Sequence, residues 1–188
     1  MLLFAAGIAV MALGAPSAKA QGTPPLRPTL VELFTAQGCA ASAAAHAQAL
    51  TLAGRQDLLV LTFPVDYWDY LGWPDSLARP DFSARQRAYV RSLRSRSVYT
   101  PQMVVNGAVH GSGARPESVA NLLAQQVPHS AGPTVQLNRA AGHVSIRVGP
   151  KAGVAEGADV WLVHYTPGVV EVAVAAGDNR GRALPHVN

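Results

Sequence analysis

The chain has 188 residues, 49% of them hydrophobic, and its 15 basic and 11 acidic side chains give a formal charge of +4. This length suggests one domain, or one domain with a small appendage, and the hydrophobic content excludes global disorder. Neither a base-reading motif nor a phosphate-binding glycine loop accompanies the basic residues, so the charge gives no indication of nucleic-acid binding.

Residues 1–20, MLLFAAGIAVMALGAPSAKA, predict a secretory signal peptide. An apolar run leads into small residues, and Ala18-Lys19-Ala20 has the A-x-A form of a cleavage site. The amino-terminal region is atypical, because no Lys or Arg precedes the apolar run. That run is short for a bilayer span of about 20 residues, so we expect no stable membrane span after cleavage and a periplasmic or secreted protein.

A Pro-rich lead-in over residues 21–28 comes before the first regular elements. TLVELFT, residues 29–35, predicts a buried strand, and the alanine-rich stretch from Cys39 predicts a helix that Gly54 ends. A second apolar strand is expected over residues 57–65. Two apolar strands joined by a helix favour a right-handed parallel βαβ unit.

The next stretch, residues 66–80, is rich in Gly, Pro and Asp and predicts a loop. A helix capped by Asp81 follows, then a hairpin within residues 98–113 that turns at Asn106-Gly107. A last helix is predicted from residue 115 to about 127. The order β-α-β-α-β-β-α over residues 29–128 predicts an α/β, thioredoxin-like domain.

Residues 133–188 are expected to form a β-rich C-terminal module. Hairpins are predicted within residues 132–150 and 159–179, and the last residues, GRALPHVN, read as the start of another strand. Such a module would leave an open sheet edge, so we expect the sequence to be truncated relative to its relatives.

Cys39, the only cysteine, falls at the junction of a strand and a helix. Unpaired N–H groups at a helix N-terminus stabilise a thiolate, which predicts a reactive sulfur; the alternative is a small buried hydrophobic residue. Ser42 stands where a C-x-x-C motif has its second cysteine. Its hydroxyl could hydrogen-bond the thiolate, or it could be an ordinary first-turn serine. With one cysteine, exchange between two thiols of this chain is impossible.

Thr100-Pro101 precedes the predicted hairpin. In this topology we expect the proline to be cis and its backbone to face Cys39, where it can bind an extended peptide or a thiol substrate. A trans proline at a strand start is the alternative.

The loop contains an aromatic group that is predicted to line a binding groove: Tyr67, Trp68, Tyr70 and Trp73. Tyr and Trp suit binding surfaces because they bury area and still hydrogen-bond. A loop folded onto the core as a structural plug is an equal alternative.

Other polar residues give weaker indications. Glu32, between apolar neighbours, could store a proton for thiol chemistry, although a strand-edge carboxylate is the simpler interpretation. The five arginines between Arg85 and Arg96 are expected to form a solvated helix face. The six histidines show no ligand spacing, so we predict no metal and no cofactor.

VELFTAQGC, VDYWDYLGWPD, RQRAY and VYTPQMVVNG resemble the secreted bacterial family called domain of unknown function 1223. The resemblance covers residues 29–187 and implies a thioredoxin-like domain with a β-rich C-terminal region, without an established activity. The family pattern at the cysteine is of the G-C-S-S-C-P-P-A-D kind. Here the second cysteine is Ser42, both prolines are Ala, and the acid is His46.

Two hypotheses follow. The first is single-cysteine thiol exchange, or peroxide or disulfide chemistry, in the cell envelope, with Cys39 and Ser42 beside Thr100-Pro101. The second is an inactive thioredoxin-fold binding module that uses the aromatic groove. Both expect a thiol, a disulfide or an extended peptide as partner. A decaying gene product is a third possibility.

Overall fold

The computed structural model describes residues 28–125, 133–149 and 160–187. The predicted signal peptide, and all of the lead-in except Pro28, lie outside these ranges. The elements formed within them, in chain order, are β1 Thr29–Thr35, α1 Ala40–Ala53, β2 Leu58–Pro64, a 3-10 helix Asp69–Leu71, α2 Pro80–Ser92, β3 Gln102–Val105, β4 Val109–Ser112, α3 Pro116–Ala124, β5 Val135–Ala140, β6 His143–Val148, β7 Val169–Ala173 and β8 Ala183–Val187.

A four-stranded mixed sheet is the centre of the fold. Its strand order is β2-β1-β3-β4. Strands β1 and β2 are parallel and joined by α1, as the βαβ prediction requires, and β3 is antiparallel to β1 and β4. The result is a mixed α/β fold with three helices and additional β hairpins within the described residues.

The β3–β4 hairpin turns where the sequence predicts. Asn106 and Gly107 both have positive φ, at 50° and 66°. Two consecutive positive φ angles define the type I′ turn that Asn-Gly favours, because the twist of that turn matches the twist of the strands. The prediction of this hairpin is confirmed.

The two faces of β1 bury different sets of side chains. Val31 and Leu33 pack toward α1 with Ala45, Ala49 and other apolar residues. On the opposite face, Phe34 joins the cluster that contains Cys39 and the aromatic residues of the loop and α2. Successive strand residues point to opposite faces, so this seven-residue strand supplies both layers of the core.

Helix α2 starts earlier than predicted. Its cap is Arg79, in an extended conformation, and Pro80 is the first helical residue. Proline suits this position because its fixed φ is helical and its missing N–H would be unpaired there. The prediction that Asp81 caps the helix is wrong; Asp81 lies in the first turn.

The C-terminal strands pair differently from the prediction. The β5–β6 hairpin is confirmed, but residues 160–166 form no strand, and β7 pairs instead with β8. Gly177 and Gly181 have positive φ in the connection between them. The predicted hairpin within residues 159–179 is therefore wrong, because the turn lies at these glycines and not before β7.

Strand β8 packs against the first part of the chain. Val187 is buried in the cluster on the α1 side of the sheet. The Thr62 hydroxyl donates a hydrogen bond to the Val187 carbonyl at 2.9 Å. A division between residues 29–128 and 133–188 stays a prediction, while these contacts link the last strand to the core of the first part.

Candidate functional site

Residues 36–39, called here the Cys39 corner, join β1 to α1. The Cys39 amide donates to the Ala36 carbonyl at 3.1 Å, which closes a tight turn. Cys39 occupies the cap position of α1 in an extended conformation. The corner therefore lies at the carboxyl end of β1, where the sequence predicts it.

The sulfur of Cys39 is enclosed. Cys39 is 5% exposed and packs in the cluster with Phe34 and Val104. Its thiol donates to the Thr100 carbonyl at 3.7 Å. In the described part of the chain, no hydrogen bond is donated to the sulfur, so its one hydrogen bond there is the one it donates.

Ser42 is buried in the first turn of α1. Its hydroxyl accepts a hydrogen bond from the Ala36 amide at 3.3 Å. This bond ties the helix to the backbone of the Cys39 corner. The hydroxyl thus holds the turn in place, which is a different use from the thiolate contact that the sequence suggests.

Thr100-Pro101 approaches the cysteine from β3. The peptide bond between them is cis, as predicted. The Pro101 carbonyl accepts from the Gly113 amide at 3.2 Å. The Thr100 hydroxyl is buried and has no hydrogen-bond partner. The structure therefore places Thr100 and Cys39 side by side.

The four loop aromatics do not share one environment. Tyr67 and Trp68 pack against the cluster that contains Cys39. Trp73 donates its indole N–H to the side-chain oxygen of Gln37 at 2.9 Å. Tyr70 is 82% exposed. Tyr67 and Trp68 thus lie near the cysteine, and Trp73 hydrogen-bonds the Cys39 corner. Tyr70 is exposed to solvent.

Tyr67 is the aromatic with unused hydrogen-bonding capacity. Its hydroxyl is buried and makes no hydrogen bond of regular geometry, although the Gln86 side chain lies near it. Burial raises the pKa of Tyr67 to about 12, the Gln86 side chain lowers it by a smaller amount, and a charge on Cys39 would raise it. At neutral pH the hydroxyl is therefore a donor, in the same cluster as the sulfur.

Gln37 fixes the Cys39 corner from the loop side. Its amide donates to Asp75 at 2.9 Å, and its side chain donates to the Ser76 hydroxyl. Asp75 is 6% exposed, and burial raises its pKa. No local pattern predicts this contact, because Gln37 and Asp75 are 38 positions apart.

The connection between β7 and β8 fixes the corner from the other side. The side-chain amide of Asn179 is fully buried and donates to the carbonyls of Gln37, at 2.9 Å, and Cys39, at 2.7 Å. The Asp178 amide donates to the Gly38 carbonyl. A Cβ at Gly177 would lie 2.9 Å from the Gly38 Cα. The C-terminal part of the chain thus completes the Cys39 corner.

The family assignment rests on the sequence as a whole. The profile described as "Protein of unknown function (DUF1223)" matches residues 30–188. The chain belongs to the DUF1223 family. The resemblance given by the sequence motifs is confirmed, and the family description itself carries no activity.

A protein of solved structure is similar to part of this chain. A crystal structure of an Agrobacterium tumefaciens protein, from a structural genomics consortium, is 37% identical to this DUF1223 chain with a TM-score of 0.55. The match covers 64% of this chain and 55% of that one, so this chain spans little more than half of that protein. A comparison with curated proteins found no match.

A buried polar network extends behind Pro101 in the DUF1223 chain. The Gln86 side-chain amide donates to the Tyr99 carbonyl at 2.8 Å and to Gln102 at 2.9 Å. His110 Nδ1 bonds the Tyr99 hydroxyl at 2.9 Å and lies 3.3 Å from the Gln102 side-chain nitrogen. The oxygen of Gln86 has no partner although the residue is fully buried. Sequence reasoning missed this network.

Glu32 is buried and has a partly exposed cationic partner. Its carboxylate is 2.5 Å from the Arg85 Nε and accepts from the Tyr89 hydroxyl. Burial, and then the charge of Glu32, raises the pKa of Tyr89 above its ordinary range. The strand-edge interpretation of Glu32 is wrong, as is a fully solvated arginine face, because Arg85 turns inward.

Two histidines form a buried pair on the α1 side of the sheet. The rings of His46 and His186 lie 4.2 Å apart between centroids. His46 Nε2 is 3.0 Å from the Thr35 hydroxyl, while its Nδ1 and both nitrogens of His186 have no partner. His46 therefore contacts β1 and β8, and not the sulfur.

Residues 28–125, 133–149 and 160–187 contain neither a metal-binding cluster nor a membrane-spanning helix. No three His, Cys, Asp or Glu side chains there are grouped so as to hold a metal ion. Among the same residues, no helix has both the length and the apolarity needed to cross a bilayer.

Proposed function

We propose that this DUF1223 chain is an exported, thioredoxin-like protein that binds an extended peptide or a thiol partner at the Cys39 corner. Support for the thioredoxin-like assignment comes from the element order and from the strand order β2-β1-β3-β4. In such a domain a cysteine at the first strand–helix junction faces the residue before a proline. Cys39 and Thr100 have this relation.

One observation carries the binding proposal: the Cys39 sulfur lies 3.7 Å from the Thr100 carbonyl. The backbone that would pair with an extended ligand is therefore next to the sulfur. The Thr100 hydroxyl is buried and unpaired beside the sulfur, and the buried Tyr67 hydroxyl, near the Gln86 side chain, belongs to the same cluster as Cys39. A buried polar group without a partner costs about 1–3 kcal/mol, so a ligand that displaces the side chains covering these hydroxyls and pairs with them gains affinity.

Binding without covalent chemistry is favoured over thiol exchange by the surroundings of the sulfur. Cys39 is 5% exposed, and its thiol is a donor to a carbonyl. The Ser42 hydroxyl, which could have stabilised a thiolate, is engaged with the Ala36 amide. A reactive thiolate needs donors and access, and both are scarce here.

Single-cysteine exchange is the second candidate, favoured by the position of Cys39 at the start of α1. In that reaction the Cys39 thiolate attacks a disulfide R–S–S–R′. A bond forms between the Cys39 sulfur and R–S, and R′–S⁻ leaves and takes a proton from water. An external thiol then displaces R–S and restores the Cys39 thiol. Oxidation state balances without a second cysteine in the chain.

A matched pair of variants tests the binding proposal. An array of extended peptides is probed with the wild-type protein, Tyr67→Phe and Tyr70→Phe. We expect Tyr67→Phe to weaken binding by about fivefold or more, since one hydrogen bond is lost, and Tyr70→Phe to leave it unchanged. Equal binding by both variants would refute a site at Tyr67.

Cys39→Ala separates the two candidates on the same array. If the protein only binds, Cys39→Ala retains the peptides that wild type selects. If exchange is the function, wild type forms a mixed disulfide with a cysteine peptide activated by an aromatic thiol, and Cys39→Ala does not. Release of the aromatic thiol by the folded wild-type protein would overturn binding alone.

Export is tested on the protein itself. The apolar run and Ala18-Lys19-Ala20 support cleavage after Ala20. Mass spectrometry of the chain recovered from the periplasmic fraction should show a form that begins at Gln21. Recovery of uncleaved chain from the cytoplasm alone would contradict export.

A further inference from the structure

A cavity of about 410 Å³ lies along the outer edge of β2, away from β1. Apolar side chains of β2, the start of α2 and the segment before β7 form its walls, among them Phe63, Phe82 and Val163. Its volume falls within the range of small-molecule sites, about 300–1,000 Å³. Cys39, Thr100 and Tyr67 do not line it.

His186 is a buried polar residue in the wall of the cavity. It lines the cavity, is 3% exposed, and neither ring nitrogen has a hydrogen-bond partner. A neutral imidazole carries one N–H donor and one acceptor nitrogen. Both nitrogens are shielded from the cavity, so the histidine contributes a wall to it and not a hydrogen-bond donor.

Arg79 supplies positive charge at the rim. Its guanidinium lies 5.8 Å from the centroid of the Phe82 ring, and both side chains line the cavity. A cation stacked on an aromatic wall suits a ligand with an anionic oxygen group and an apolar body.

We propose that this cavity binds a small carboxylic acid with an aliphatic or aromatic body. The body packs on Phe63 and Phe82, and the carboxylate is attracted by Arg79. This site is separate from the Cys39 corner and does not depend on the function proposed there.

Two neighbouring valines give a matched test. Val170 lines the cavity and Val169 does not, yet they are 48% and 47% exposed. Decanoate is titrated into the full chain by calorimetry, and circular dichroism checks that each variant is folded. We expect saturable binding to wild type, at least about tenfold weaker binding to Val170→Trp, and binding to Val169→Trp within about twofold.

Two further readouts test the head group. Arg79→Gln should weaken decanoate binding by about two- to fivefold, as expected for a partly exposed charge, and should leave decanol binding unchanged. Decanoate should shift the imidazole resonances of His186 and not those of the exposed His143. Absence of saturation with wild type, or equal binding by the two tryptophan variants, would overturn the proposal.

Discussion

Acid should destabilise the protein through the buried pair of His46 and His186. Burial lowers the pKa of His46 to about 3, and the positive charge of His186 lowers it further. Burial also lowers the pKa of His186 to about 4. Both lie below the unfolded value of about 6.5, so the unfolded chain takes up protons first as the pH falls.

The sign and size of the effect follow from this difference. The full contribution of the pair to stability is present above about pH 6.5 and is lost as the pH falls toward the folded values. At pH 5 the loss is about 2 kcal/mol for each histidine, hence about 4 kcal/mol for both. Among the described contacts, the Thr35 hydroxyl and the Pro185 carbonyl face His46, and no carboxylate offsets its charge.

Urea unfolding at pH 7 and pH 5 measures this loss. A change of about 4 kcal/mol should lower the urea midpoint by about 2 M when the slope is about 2 kcal/mol/M. His186→Phe should at least halve the pH dependence, because one titrating ring is gone and the other loses a like charge. His143→Gln, at an exposed position, should change nothing. An equal pH dependence in wild type and His186→Phe would refute the reasoning.

Three further predictions concern stability. Gly177→Ala should lower the melting temperature far more than Gly181→Ala. Both glycines have positive φ, but only at Gly177 does the added Cβ meet backbone within 3 Å. Equal losses of melting temperature would show that no close approach exists. Glu32→Gln should lower the free energy of unfolding in urea by about 3 kcal/mol, because it breaks the ion pair of a buried carboxylate. Asp57→Asn, in the exposed ion pair, should leave it unchanged. A Glu32→Gln variant as stable as wild type would contradict a stabilising role for the pair with Arg85. Asn179→Ala should cost about 1–3 kcal/mol and speed amide exchange at the Cys39 corner, and unchanged exchange would contradict the bonds from Asn179.

Local signals predicted much of the fold. The Asn106-Gly107 turn and the strand–cysteine–helix junction are encoded by adjacent residues, and both appear as expected. The pairing of β7 with β8 was missed because the apolar run at residues 160–165 has strand composition without a partner strand. Composition alone does not determine which apolar run enters a sheet.

The contacts around the candidate site were harder to predict because they join distant positions. Asn179 bonds a carbonyl 140 residues earlier, and no local pattern marks it. The arginine-rich helix predicts a solvated position for Arg85, as for its neighbouring arginines. A signal did exist: Glu32 interrupts an apolar strand, and a buried carboxylate requires a partner, which a helix with five arginines could supply.

The most direct test is the rate of Cys39 alkylation by iodoacetamide against pH, on the folded chain and on the chain in denaturant. Our proposal has Cys39 as an enclosed thiol next to a peptide-binding site. It predicts that the folded chain reacts far more slowly than the unfolded chain at every pH, and that Cys39→Ala keeps peptide binding. Rapid reaction of the folded chain, with a midpoint well below the unperturbed value of about 8.5, would contradict it and establish an activated sulfur.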